Sequence, residues 1–189
     1  LNAVGLFDLA LDILKELDEK SENPKVKFNL GWHYLREGLF TRGFKYLSHG
    51  VQCRAWGNEY LYIEQGKLNP KKRWDGISPL GDVILLYILE GGLGDQIAFL
   101  RWFNYNYFSI KEEDTVACDP SLLKLLTNAG YNCIPFSEIN YTYHDVYIQA
   151  MSLPASDIHI TNPQKYVNFP YIQSYEDLYI RKLIDKKSQ

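Results

Sequence analysis

Residues 85–102 read LLYILEGGLGDQIAFLRW, and this stretch decides the fold. An apolar run reaches a glycine-rich turn, meets an acid at Asp95, and continues with helical spacing. Strand, glycine turn and helix in that order are how an α/β sheet builds a site at the carboxyl end of a strand. Gly91, Gly92 and Gly94 permit a tight turn and a close ligand approach. Backbone N–H groups opening the helix can hold an anion. The spelling EGGLGD is neither GxGxxG nor a phosphate loop ending in GK[ST], so a dinucleotide or ATP site is weakly supported.

Asp95 has two readings. As a structural residue it caps the helix by accepting N–H groups two or three positions on. As a functional residue it faces the crevice at the strand end and accepts a proton from a ligand hydroxyl. The helix start favours its charged form, which weakens it as a base. Glu90 either hydrogen-bonds ligand hydroxyls or braces the loop.

Outward from this turn, the spacing predicts a strand over 83–89 and a helix over 95–107. TVACD (115–119) is a second strand, followed by a helix over 121–130 with Pro120 near its start. NCIPF (132–136) and HDVYIQA (144–150) are the third and fourth strands, the latter followed by MSLP. Strands alternating with helices imply an α/β class, with a single Rossmann-like parallel sheet over residues 79–173. Residues 174–189 form a helix and charged tail, with Tyr175, Leu178, Tyr179 and Leu183 on one stripe.

The chain before the sheet repeats itself. GLFDLALDIL (5–14) matches GLFTRGFKYL (38–47) at an offset of 33 residues, with Ala10 matching Gly43. Small residues there allow close helix contact. Helices are expected over 5–20, 25–37 and 40–50, with Pro24 at a helix start. The period resembles the tetratricopeptide repeat, so residues 1–52 form a short helical segment that caps the next domain or docks another chain. Residues 53–78 are read as an irregular linker, punctuated by Gly57, Gly66, Pro70 and Gly76. Its Lys71, Lys72 and Arg73 are a solvated cluster or an anion site.

Composition excludes some functions. In 189 residues, 20 basic and 23 acidic side chains leave a net charge of -3, which attracts neither nucleic acid nor anionic lipid. The 15 Tyr, 9 Phe and 4 Trp offer contact area for sugars or proteins, or sit at the edge of the core. Trp32, Trp56, Trp74 and Trp102 are expected to pack, with sugar stacking the alternative for Trp74. Cys53, Cys118 and Cys133 have no paired spacing, so neither a disulfide framework nor a zinc site is expected. His33, His49, His144 and His159 share no metal-ligand spacing. No GxSxG elbow is present, and no apolar run has membrane-spanning length. No metal and no cofactor are expected, and the location is expected to be cytoplasmic.

NLGWHYLREGLFTRGFKYL, RWDGISPLGDVILLYILEGGLGDQIAFLRW, CDPSLLKLL and DVYIQAMSLP occur in one order. That order resembles a bacterial family of tetratricopeptide proteins carrying a glycosyltransferase-like domain, related to the lipopolysaccharide heptosyltransferases. The resemblance implies the N-terminal, acceptor-side half of a GT-B fold, transferring a sugar from a nucleotide-sugar to a hydroxyl. It implies Asp95 as general base, with Glu90, Gly91, Gly92, Gly94, Gln96, Tyr147 and Ser152 around the acceptor. Ser152 is alternatively the cap of a short turn. The family turn commonly reads EQGLGD, and Gly91 replaces the glutamine. An Asp-x-His pattern before MSLP is here Asp145-Val146-Tyr147. After Pro154, 35 residues remain, so the donor domain is expected to be missing or supplied elsewhere. The expected partners are a sugar acceptor, a nucleotide-sugar, a protein bound through the helical segment, and a second copy in a homo-oligomer. The alternative is a catalytically inactive carbohydrate- or protein-binding scaffold. A nucleotide-binding regulator is a third reading.

Overall fold

The computed structural model describes residues 5–54, 59–103 and 111–155. The helix expected over 174–189, the far end of the one expected over 95–107, Trp56 and His159 lie outside the described residues.

Three helices open the chain: α1 (Phe7–Lys20), α2 (Pro24–Arg36) and α3 (Phe40–Leu47), the last extended by a 3-10 turn at Ser48–Gly50. Their bounds lie close to those the repeat predicts. Pro24 presets the first turn of α2, and Asn23 Oδ1 accepts the Lys25 N–H at 3.0 Å. Glycines let α2 and α3 touch backbone to backbone. A Cβ on Gly31 would stand 2.5 Å from Leu47 N, and one on Gly43 2.6 Å from Leu35 Cδ2. Leu11, Leu30 and Tyr34 bury the seam between the helices.

A small parallel sheet follows, with strands β1 (Leu85–Ile88), β2 (Thr115–Cys118), β3 (Cys133–Pro135) and β4 (Val146–Gln149) in the order β3-β2-β1-β4. An N-terminal helical region followed by such a sheet is a generic Rossmann-like α/β architecture. Side chains alternate across the strands. Leu85, Tyr87 and Leu89 join a core with Phe44, Phe99, Leu100 and Leu126. That core takes in α5 (Leu93–Leu100) and α6 (Leu123–Asn128), and Phe44 meets Trp102 edge-on at 5.8 Å. Leu86, Ile88 and Tyr147 face the other side, against Tyr62, Leu68 and Ile139.

The chain between helices and sheet departs from the irregular reading. It carries α4 (Glu59–Glu64) and a 3-10 turn at Pro70–Lys72. Arg73 then bridges to Tyr147, and the Trp74 N–H donates to the Tyr147 carbonyl at 2.8 Å. A six-residue helix is too short to announce itself by periodicity. Burial of Tyr62 on the sheet holds it in place. The basic cluster divides, with Lys71 and Arg73 exposed and Lys72 half-buried. Lys72 Nζ donates to the Tyr141 and His144 carbonyls, and Arg73 turns toward Glu59.

Strand order reverses between β1 and β4, which makes their carboxyl ends the topological switch point where open sheets bind ligands. The connection from β1 runs through α5 on one face. The connection into β4 runs through Phe136–Glu138 and Ile139 on the other. The glycine turn sits in the fork.

Candidate functional site

Two features meet at this fork. The first is the turn itself. Gly91 has φ +75, and a Cβ there would lie 2.7 Å from Asp95 Oδ2. Helix α5 starts at Leu93, two residues before the expected start, with extended Gly92 as its N-cap. Asp95 is therefore in the third helical position and reaches back instead of capping forward. The Gly92 N–H donates to Asp95 Oδ2 at 3.0 Å. Since Gly92 has no side chain, only the returning half of a capping box exists. Asp95 is exposed, and its Oδ1 has no hydrogen-bond partner among the described residues.

The second feature is a cavity of about 220 Å3 beside Gly91, lined by Glu59, Tyr62, Glu90, Phe136 and Gln149. Glu90 continues the Leu86–Ile88 face of β1 one step past the strand end, and Gln149 pairs with Ile88 in register. Both side chains therefore reach the α4 side at the switch point. Glu90 is 3% exposed and Gln149 1%. Both Glu90 carboxyl oxygens and Gln149 Oε1 lack a hydrogen bond. Native interiors pair nearly all such groups, so three orphaned oxygens on one small cavity mark a place built for something else to occupy.

Burial, then the nearby Glu59 carboxylate, push the Glu90 carboxyl well above its usual range. The Met151 backbone N–H, outside hydrogen-bond geometry, and the Arg73 guanidinium pull more weakly the other way. The result favours an uncharged acid that can donate as well as accept. Glu59 is the charged neighbour. Its Oε1 accepts from Tyr147 Oη at 2.8 Å and from Arg73 Nε at 3.2 Å. Arg73 Nη2 in turn donates to Ser152 Oγ at 2.9 Å. Burial and Glu59 push the Tyr147 hydroxyl up, so it stays a proton donor.

The expected site residues divide. Glu90 and Gly91 line the cavity. Gly92, Gly94 and Asp95 form its exposed neighbour, the turn. Tyr147 and Ser152 act behind it, through Glu59 and Arg73. Gln96 is buried and fully used: Nε2 donates to the Gly91 carbonyl at 3.2 Å, and Oε1 accepts the Asp119 N–H at 2.9 Å. It holds the turn to the end of β2. His144 and Asp145 lie at the opposite, amino end of β4, where Asp145 Oδ2 accepts the Ile84 N–H at 2.9 Å. His144 therefore does not stand in for the histidine of the resembled pattern. Burial lowers its pKa. Trp74 is buried and donates from Nε1 to the Ser78 carbonyl at 2.9 Å, so it packs and does not stack on a ligand.

Sequence reasoning missed Glu59, Phe136 and Gln149. The alternation of β4 placed Gln149 on the Tyr147 face and was the available signal for it. Nothing local marked Glu59. Among the described residues, no three His, Cys, Asp or Glu side chains gather as a metal site, and no helix is long and apolar enough to cross a membrane. No protein-family model, curated protein or solved structure matches the chain.

Proposed function

We propose that the chain is the acceptor-side half of a GT-B-type glycosyltransferase, with Asp95 as general base toward a sugar hydroxyl. The observation that supports this best is the exposed Asp95 carboxylate on a glycine turn at the switch point, beside a cavity rich in oxygen acceptors. Two facts weigh against a nucleotide phosphate at this turn. Asp95 already occupies the Gly92 N–H, and its own exposed carboxylate repels an anion there. A hydroxyl meets no such repulsion. Oδ2 is committed to the turn, so Oδ1 is the atom free to receive the proton. In this reading the helical region is a short tetratricopeptide-type segment that docks a protein partner, and a nucleotide-sugar donor goes with a cytoplasmic location.

One observation favours the second reading, a carbohydrate-binding module without transfer. The hydrogen bond from Gly92 gives Asp95 a sufficient structural task. Sugar transfer from nucleotide-sugar donors to hydroxyl acceptors separates the two, measured on the full gene product. Asp95→Asn still accepts the Gly92 N–H but is no base. Loss of about 10²-fold or more in turnover is expected. Unchanged turnover in that variant overturns the assignment of Asp95.

A further inference from the structure

We infer that the cavity between α4 and the ends of β1 and β4 is a subsite for one neutral, polyhydroxylated ring, held by Glu90 and Gln149. The inference deepens the carbohydrate reading above and rests on it for the class of ligand.

The lining argues the chemistry. Three orphaned oxygens, two on Glu90 and one on Gln149, open on one space of about 220 Å3. That space holds about seven waters at the share each takes in the liquid, or one small ring in their place. Tyr62 and Phe136 supply aromatic wall beside the polar Glu59, Glu90 and Gln149. Apolar faces with a few convergent polar groups suit a sugar ring, whose C–H face packs on aromatics while its hydroxyls face out.

Charge selects against the alternatives. A phosphate or a carboxylate brings negative charge and acceptors but no donor for Gln149 Oε1 or the carbonyl oxygen of the Glu90 carboxyl, and it meets the Glu59 carboxylate. Arg73 balances Glu59, and burial keeps Glu90 uncharged, so no unbalanced negative charge invites an ammonium group. A cationic ligand would have to ionise Glu90 in the place that most disfavours it. A hydroxyl needs no such change. Each hydroxyl both donates and accepts, as does a protonated carboxyl, while Gln149 Oε1 takes a donor. Two neighbouring hydroxyls would satisfy all three orphaned atoms.

Position ties the subsite to the reaction. Gly91 lines the cavity, and its missing side chain is what admits the Asp95 carboxylate beside it. A ring seated on Glu90 and Gln149 would carry its next hydroxyl out past Gly91, toward Asp95.

The test is calorimetric titration of the full chain with D-glucose, D-galactose and D-mannose. Glucosamine and glucose 6-phosphate serve as charged counterparts. Saturable binding of at least one neutral hexose is expected, with the charged probes about tenfold weaker or worse. Gln149→Ala and Glu90→Ala should each weaken the hexose by about tenfold or more, because a buried partner is left unpaired. Glu90→Gln should stay within about threefold, since its amide is uncharged and both donates and accepts. Should Glu90→Ala fail to fold, Gln149→Ala decides. No saturable hexose binding, tighter binding of glucosamine, or undiminished binding by Gln149→Ala overturns the subsite. Cavity-dependent hexose binding without transfer supports the subsite and counts against the transferase reading. Transfer with binding indifferent to these variants does the reverse.

Discussion

Tyr147 Oη donates a hydrogen bond of 2.8 Å to Glu59 Oε1, joining β4 to α4 across 88 positions of chain. The contact is buried, and Arg73 completes it from the residue just after the 3-10 turn. A helix of six residues has little stability of its own. This hydrogen bond, with Tyr62, is what seats α4 over the switch-point cavity. Tyr147→Phe keeps the ring and removes the hydroxyl. It should cost about 1.5–3 kcal/mol, the worth of a hydrogen bond to a charged group. Urea denaturation of both proteins measures it. A midpoint equal to that of the native protein would show that α4 is held by apolar contact alone.

The sheet was legible because its signals are local. LLYILEGGLGD announces strand, turn and helix within one window, and Pro24 and Pro120 announce helix starts by their own chemistry. The repeat showed its close packing through Gly43. The candidate site was legible by half. Asp95, Glu90 and the glycines belong to the turn and are read with it. Glu59 comes from a segment without period, and its place depends on Tyr147 and Arg73, both distant in sequence. Gln96 is expected around the acceptor only through the family resemblance. Its burial against Gly91 and Asp119 is set by tertiary packing, which no window shows.

The crossing of α2 and α3 depends on Gly31. A Cβ there would meet Leu47 N at 2.5 Å and the Gly43 carbonyl oxygen at 3.0 Å, all rigid backbone. Gly31→Ala must push the helices apart, and Leu47 is fully buried between them and the sheet core. Overpacking of this kind costs roughly 1–3 kcal/mol. The helix propensity of alanine returns about 1 kcal/mol at most. A lower melting temperature is expected by thermal denaturation. A variant as stable as the native chain would mean that the two helices do not approach so closely.

Glu90 makes stability depend on pH in an unusual direction for a carboxyl. Its folded-state pKa lies above the unfolded value near 4.5. Its contribution is thus fully present below that value and is lost as pH rises toward the folded pKa. Glu90→Gln is uncharged at every pH. The native chain should fall behind this variant as pH rises above about 5, by at most about 1.36 kcal/mol per pH unit. Denaturant midpoints of both proteins at several pH values from acid to neutral check the trend. A gap that is constant with pH would mean that Glu90 ionises as freely in the folded chain as in the unfolded one.

Gly91 and Gly94 sit three residues apart in one turn and should respond oppositely to alanine. Gly91 has φ +75, and its Cβ would meet Asp95 Oδ2 at 2.7 Å and Asp95 Cβ at 2.9 Å. Alanine there adds left-handed strain of about 1–2 kcal/mol and expels the carboxylate that accepts the Gly92 N–H. Gly94 lies within α5, and a Cβ there meets nothing within 4 Å. Alanine at 94 should be neutral or stabilising, since it favours the helix by up to about 1 kcal/mol. The Gly92 amide reports the difference directly. In a nitrogen–proton correlation spectrum it should shift strongly in Gly91→Ala and little in Gly94→Ala. Sugar transfer, where it is observed, should fall with the first variant and persist with the second. Equal damage from both would mean that the turn tolerates no side chain anywhere. The Asp95 contact would then not be the reason for glycine at 91.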